Sequence, residues 1–405
     1  MIAVDERPVY ALKSQPAVPA TYQEAIERAR ALKPTLRERV AEAERLRRLP
    51  TQNVTDLLEN GLYGLMTPRR YGGSELGAEA MIDVTIELAS ACPATGWVHM
   101  LWTAHMWLLA LFPEETLDEL WSNPNTLASS VVTTTGDVVP VDGGYRWTGK
   151  GFFSSGVDHC NWLTAAVPIK REGQEGPAER RWMLLPREDI EIIDDWFTIG
   201  LKGTGSKTVV VNDAFIPERR TISNKEVEEG TAPGGQIHAH PMYRAISSAN
   251  FTAAMAAPAI GVARGFLAAF EDRLRSKSSN IDDGTMINLA RYAAASAEVD
   301  AVHALTLQDA QRLACLPAAR IGAEERAKCR RDQAYTAQAA RKSVNTLYEE
   351  CGGSALFESS DLQRLWRDVN AAAAHRGLAW DWVAVSWTKT MLGLPTVPGF
   401  TFTRA

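Results

Sequence analysis

The chain has 405 residues, 45% hydrophobic and 23% charged, the balance of a globular protein with material for two or three domains and a large buried core. Its formal net charge of -6 leaves no basic footprint for nucleic acid and says nothing about an acidic partner. No stretch reads as an uninterrupted apolar span of bilayer length, so no membrane association is expected. The opening MIAVDERPVY places Asp5 and Glu6 where a secretory leader needs an apolar core.

From about Thr21 to Ser122 the pattern is helical. TYQEAIERARALKPTLRERVAEAERLRRLP is charged and amphipathic, whereas MIDVTIELASACPATGWVHMLWTAHMWLLALF is apolar nearly all round and therefore buried. Pro113, followed by Glu114 and Glu115, marks a fresh helix start. From Leu127 to about Arg220, short β-branched runs such as SSVVTTT, RWMLLP and KTVVVNDAFIP alternate with glycine-rich and charged turns. This predicts an antiparallel β domain with hairpin connections. ISNKEVEEGTAPGGQIHAHP reads as a linker or long loop. From Tyr243 onward four Ala-rich helical segments follow, the last being LQRLWRDVNAAAAHRGLAWDWVAVSWTKTML, and they suggest a four-helix bundle. The expected class is α+β in three parts: a helical domain over 1–126, a β domain over 127–235 and a helical bundle over 236–405.

Several short motifs fail on inspection. Gly200-Leu-Lys-Gly-Thr-Gly205-Ser-Lys-Thr208 looks like a phosphate loop, but Ser206 interrupts the pattern and a strand follows where a helix N-terminus is required. No dinucleotide fingerprint joins a strand to a helix, so no nicotinamide site is expected. His238 and His240 lack companion ligands, and no metal is expected. The five cysteines (Cys92, Cys160, Cys315, Cys329, Cys351) are odd in number and contain no CxxC pair, which suits reduced thiols in the cytoplasm. Twelve tryptophans suit apolar pockets, although core positions account for most such residues.

Four longer blocks carry a resemblance. GGYRWTGKGFFSSGVDHCNW (Gly143 to Trp162), GLKGTGSKTVVVNDAFIP (Gly200 to Pro217), RRYGGSELG (Arg69 to Gly77) and EECGGSALFESSDLQRLWRD (Glu349 to Asp368) are similar to segments of the acyl-CoA dehydrogenase superfamily, in the same order. That resemblance implies an acyl-CoA dehydrogenase-like fold, and a homotetramer with flavin near subunit interfaces. Fold alone does not settle the reaction. Where many dehydrogenases carry a catalytic glutamate after the Arg-Asp pair, this chain has Arg367-Asp368-Val-Asn-Ala-Ala-Ala-Ala-His375-Arg376-Gly377.

The histidine resembles instead the pattern of the two-component (group D) flavin-dependent monooxygenases. Their resemblance implies an oxygenase component that takes FMNH2 or FADH2 from a separate NAD(P)H:flavin reductase. It would react that flavin with O2 to a C4a-hydroperoxide and hydroxylate an aromatic or heteroaromatic small molecule. An acyl-CoA dehydrogenase or oxidase-like FAD enzyme, with its base elsewhere, is the alternative. The resemblance assigns catalytic roles to His375, Ser155 and His105, and substrate contacts to Ser130, His105 and Trp97. It assigns flavin contacts to Phe153, Ser154, Ser155, Trp196, Arg273, Arg275, Gly352 and Gly353, without deciding which arginine reaches a flavin phosphate. Bland readings stand beside these: His105 as a core histidine, Trp196 as a core tryptophan, Gly352-Gly353 as a helix cap. Asp381, about a turn and a half beyond His375 in a continuous helix, is either an orienting partner for that imidazole or a solvated charge.

Overall fold

The computed structural model describes residues 17–169, 178–277, 283–314, 316 and 318–395; Cys315 lies outside them. The N-terminal part comprises α1 (Tyr22–Glu38), α2 (Val40–Leu46), α3 (Thr51–Glu59), α4 (Ala78–Ala91), α5 (Pro93–Leu109) and α6 (Glu114–Trp121). Thr21 caps α1, accepting the Glu24 amide at 3.2 Å. Pro93 divides the long apolar segment into α4 and α5 by occupying the first turn of the second helix. The expected helix start at Pro113 is observed, with that proline at the N-cap of α6.

The β region contains β1 (Ala128–Val131), β2 (Thr133–Val141), β3 (Gly144–Ser154), β4 (Trp162–Ile169), β5 (Glu179–Pro186), β6 (Ile190–Ile193), β7 (Lys207–Pro217) and β8 (Thr221–Ser223). They form two four-stranded sheets, ordered β1-β4-β5-β8 and β2-β3-β7-β6. Val131, Trp147, Leu163, Met183 and Val209 belong to one buried apolar cluster contributed by both sheets. The antiparallel expectation needs one correction, because β1 and β4 pair in parallel. Between them the chain leaves for the β2–β3 hairpin of the other sheet, so β4 returns in the direction of β1.

The segment after β8, a loop by its sequence pattern, holds α7 (Asn224–Glu229) and α8 (Pro233–Ile237). A reciprocal capping box between Ser223 and Glu226 explains α7. The short α9 (Ser247–Asn250) leads into α10 (Ala257–Lys277), α11 (Asp283–Ala314), α12 (Ala323–Tyr348) and α13 (Asp361–Ala373), which pack as a bundle with α14 (Trp380–Met391) against α12. The last two correct the expectation of one continuous helix: α13 ends at Ala374 and His375 heads a new 3-10 turn. Contrary to the reading that no span is long and apolar enough to cross a membrane, Ser247–Ser276 passes on length and composition. Its most apolar window is 83% buried inside the protein, as in the core helix of a bundle.

Close helix packing fixes the frame. Ala89 of α4 fits two glycine notches: a Cβ on Gly96 would lie 2.4 Å, and one on Gly261 2.6 Å, from the Ala89 Cβ. The core also holds imidazoles. His99 bonds Thr85 and the Leu62 carbonyl, His105 the Ala128 carbonyl, and His159 the Leu49 carbonyl. Burial lowers each from the usual 6.5 to about 4.

Two predictions follow from this packing. In an open helix Gly261→Ala would gain about 1 kcal/mol; here it lowers the thermal midpoint, and Gly261→Val costs about 1–3 kcal/mol or more. A higher midpoint for Gly261→Ala would refute the notch. The depressed histidines bind protons in the unfolded chain near pH 6.5 but in the native protein only near pH 4. Stability is therefore full above about pH 6.5 and falls as pH drops towards 4. Each histidine contributes on the order of 1 kcal/mol of loss between pH 7.5 and 5.5, measurable as a falling urea midpoint; an unchanged midpoint over that interval contradicts it.

Candidate active site

The end of β3 is the first element of the site. Its ladder with β7 shifts register between Gly151 and Ser154. Phe153 takes φ +64°, costly for an aromatic residue, and lies 65% exposed. This bulge turns Phe153 outward while Ser154 and Ser155 stay buried. Ser129 donates to the Ser155 carbonyl at 2.8 Å, so its 2.8 Å contact with Ser154 is one in which Ser154 donates. Ser154 thereby anchors the turn and has no proton left for another acceptor.

Ser155 sits at the head of a hydroxyl chain whose proton order can be worked out. Thr204 donates to the Leu201 carbonyl at 2.9 Å. Its oxygen therefore accepts from Ser206 at 2.7 Å, and Ser206 in turn accepts from Ser155 at 2.7 Å. The indole N–H of Trp97 donates to Ser155 at 3.2 Å. Ser155 has thus committed its proton and one lone pair, and its remaining lone pair is ready for a donor. Thr204 and Ser206 lie in the stretch rejected as a phosphate loop. Sequence reasoning missed their role, because two hydroxyls spaced two apart give no signal without Ser155 opposite them.

That stretch is held from two sides. Asp368 of α13 accepts the Leu201 amide at 2.7 Å, and Arg367 donates to the Ile199 carbonyl at 2.6 Å. Asp368 is buried, and desolvation raises its carboxyl to about 6. On the other side Lys207 pairs with Asp158 at 2.7 Å and Asp194 at 3.2 Å. The intervening loop presents Trp196, whose indole N–H donates to the Leu201 carbonyl at 3.1 Å. The Trp196 and Phe153 rings stand edge to face, 6.5 Å between centroids, beside the exposed Phe197 and Ile199. An aromatic shelf next to a hydroxyl with an open lone pair fits one end of a planar ring system that carries an N–H, which is the chemistry of a reduced flavin.

A second feature is a cavity of about 520 Å³ lined by α5, α7, α9, α12 and α14 and by one face of the β1-β4-β5 sheet. Ser130 and His375 both line it. The Nδ1 of His375 accepts the Gly377 amide at 3.1 Å, which leaves its proton on Nε2. Burial lowers this imidazole to about 4. It is a neutral N–H donor at neutral pH, and its basic nitrogen is already used. The Trp97 ring, 6.0 Å from the His375 ring, joins the cavity side to Ser155.

Other expected residues fall elsewhere. Trp97 does not line the cavity; its indole N–H is spent on Ser155. His105 is 1% exposed and also absent from the lining. The Phe251 ring is stacked against it at 6.2 Å and itself lines the cavity. With Nδ1 donating to Ala128 at 2.8 Å, His105 keeps an unpartnered acceptor at Nε2 among the described residues. Asp381 is exposed in the first turn of α14; the helix break removes the spacing that would have set it over His375. Arg273 is engaged within its own chain, with the Cys351 carbonyl at 2.6 Å and Ser354 at 3.2 Å. Arg275 pairs with Glu271 on the exposed face of α10. Gly352 has φ +66°, and a Cβ added at Gly352 or Gly353 would meet nothing within 4 Å, so their backbone is open to approach.

Comparison with known proteins gives the family. Residues 22–124 match the acyl-CoA dehydrogenase N-terminal domain and residues 253–380 the acyl-CoA dehydrogenase C-terminal domain. The chain is 35% identical to the flavin-dependent monooxygenase oxygenase subunit HsaA of Rhodococcus jostii, over 91% of this chain and 98% of that one. It is 32% identical to the oxygenase component of the FADH2-dependent resorcinol hydroxylase of Rhizobium sp., over 94% and 97% respectively. The crystal structure of 3-HSA hydroxylase from Rhodococcus sp. RHA1 superposes with a TM-score of 0.88 at 33% identity, covering 92% of this chain and 98% of that one. The chain belongs to the flavin-dependent monooxygenase oxygenase components built on the acyl-CoA dehydrogenase fold.

Proposed function

We propose that the Phe153–Trp196 shelf receives the reduced flavin, FADH2 or FMNH2, and that Ser155 accepts the hydrogen of its N5. The bound flavin supplies two electrons and activates O2; one oxygen atom enters an aromatic substrate and the other leaves as water. The proton order of the chain Ser155, Ser206, Thr204 carries this reading, because it makes Ser155 an acceptor and not a donor. His375 stands in the cavity wall as a neutral imidazole that polarises the reacting oxygen, and the Ser130 hydroxyl holds the substrate in the cavity. His105 becomes a substrate contact when Phe251 moves aside. Arg273 braces the Gly352–Gly353 loop, and one of Arg273 and Arg275 meets a flavin phosphate in a homotetramer. The electrons come from a separate NAD(P)H:flavin reductase. The buried thiols of Cys92, Cys160, Cys329 and Cys351, none of them in a disulfide, suit the cytoplasm.

The acyl-CoA dehydrogenase alternative lacks support at the site. Asp381 and Asp368 are the carboxylates nearest the expected base in sequence; the first is exposed in the first turn of α14, and the second is buried and bound to Leu201.

The test supplies chemically reduced FAD or FMN with O2 and a panel of phenols including resorcinol, and measures hydroxylated product and released H2O2. Product without added reductase protein, dependent on reduced flavin, is expected. Oxidised flavin that is bleached by acyl-CoA, with no phenol hydroxylated, would overturn the proposal. Ser155→Ala and Ser206→Ala each remove about 1 kcal/mol of hydrogen bonding. Both lower product per flavin consumed several-fold, with matching H2O2; Ser206→Thr, which keeps the hydroxyl, retains most of the coupling. His375→Ala lowers the rate roughly 10²-fold or more. The wild-type pH profile shows no limb near 6.5 from this residue, since its proton is gained only near pH 4; a limb near 6.5 that vanishes in His375→Ala contradicts the assignment.

A further inference from the structure

The far wall of the cavity carries charge that the reaction itself does not require. Side chains on one face of a sheet recur every second residue along a strand and line up across paired strands. Ser130 pairs with Thr164, Ala166 with Trp182, and Pro168 with Arg180. Ser130, Ala166, Trp182 and Arg180 therefore share a face, and all four line the cavity. The next residue, Arg181, points the other way and is satisfied by Glu179 and Glu218.

Arg180 is the unusual member. Its guanidinium donates to the Ala166 carbonyl at 2.8 Å, and no carboxylate pairs with it among the described residues. Burial with no acid to offset it lowers the group to about 10. Among the described residues three arginines and one acid line this cavity: Arg180, Arg326, Arg330 and Glu228. Glu228 is already used, pairing with Arg326 at 2.6 Å and accepting from Ser247. Arg180 thus brings to the lining a positive charge that Glu228 does not offset, and a buried cation is costly unless something pairs with it.

We infer that the substrate is an aromatic acid whose carboxylate, on a short arm from the ring, is received by Arg180. This inference rests on the monooxygenase reading of the cavity. A guanidinium can hold a carboxylate through two parallel N–H bonds. The strand geometry sets the length. Ala166 stands one strand across and two residues along from Ser130, roughly 8 Å away at a spacing of about 4.8 Å and a rise of about 3.3 Å. Since Arg180 reaches back to the Ala166 carbonyl, its guanidinium and Ser130 are separated by about the span of one phenol ring and a three-carbon acid arm. Trp182 pairs with Ala166 on the same face and lines the cavity, its indole N–H donating to Asn224 at 3.1 Å.

The experiment titrates the full-length protein, loaded anaerobically with FADH2, with 3-(4-hydroxyphenyl)propanoate and with its primary amide. The acid is expected to bind at least ten-fold more tightly than the amide. In Arg180→Gln the ratio falls to near one, and Arg180→Lys restores part of it. Equal binding of acid and amide by the wild type, or an undiminished ratio in Arg180→Gln, overturns the inference. So does displacement of the acid by a short acyl-CoA, which would make the arginines a diphosphate site. Hydroxylation of uncharged 4-propylphenol with no acid preference removes the inference and leaves the monooxygenase reading standing. Acid preference without hydroxylation of any phenol keeps the anion site and removes the proposed reaction.

Discussion

Asp368 and Leu201 are 167 positions apart, and the hydrogen bond between them, 2.7 Å from amide to carboxylate, ties the β region to the helical bundle. Arg367 adds its bond to the Ile199 carbonyl and an ion pair with Glu44 at 3.0 Å, so three distant parts of the chain meet at one loop. A carboxyl group buried this deeply is costly unless its partners are in place. Leu201 itself has φ +51°, a conformation an isolated leucine avoids. The same loop supplies the carbonyl that terminates the hydroxyl chain from Ser155 and accepts the Trp196 indole. His375 follows α13 by a few residues, so one anchor fixes both the flavin side and the cavity side.

This dependence explains how the site divides its work. The rigid part lies behind Ser155, where every proton has a destination and Trp97 links the chain to the His375 ring. The cavity side includes Phe251, between the short α9 and the long α10, where His105 stands behind an aromatic ring that itself lines the cavity. A neutral His375 suits such a site. A cation there would be poorly solvated, and the Gly377 amide has taken the nitrogen that would accept a proton.

Much of the fold was legible because its signals are local and repeated. Helical periodicity located α1, α4, α5 and the bundle, and alternating β-branched runs located the strands. Pro113 announced α6. The breaks were less legible. The Ala-rich run before His375 favours helix on every side, and only the tertiary position of the His375–Gly377 turn stops it. The parallel β1–β4 pair follows from which sheet the intervening hairpin joins, which no strand encodes by itself. Resemblance alone singled out Ser130, Ser155 and His375, of which the first and last line one cavity. Arg180 was not singled out, although a basic residue two before Trp182, on the same face of the strand, is the trace it leaves. Ser206 and Thr204 acquire meaning only through the turn that brings Ser155 against them.

The bulge at Phe153 has a consequence for how the chain tolerates change. Regular pairing through this point would be the more comfortable arrangement for the backbone, and removal of one residue would supply it. In a strand such a deletion exchanges inward and outward positions beyond the cut. Ser155 would then stand where Ser154 now meets Ser129, and Gly156, which has no hydroxyl, where Ser155 now meets Trp97 and Ser206. The backbone would gain regularity while the site lost its acceptor, so the spacing of these residues is as much a part of the chemistry as their identity.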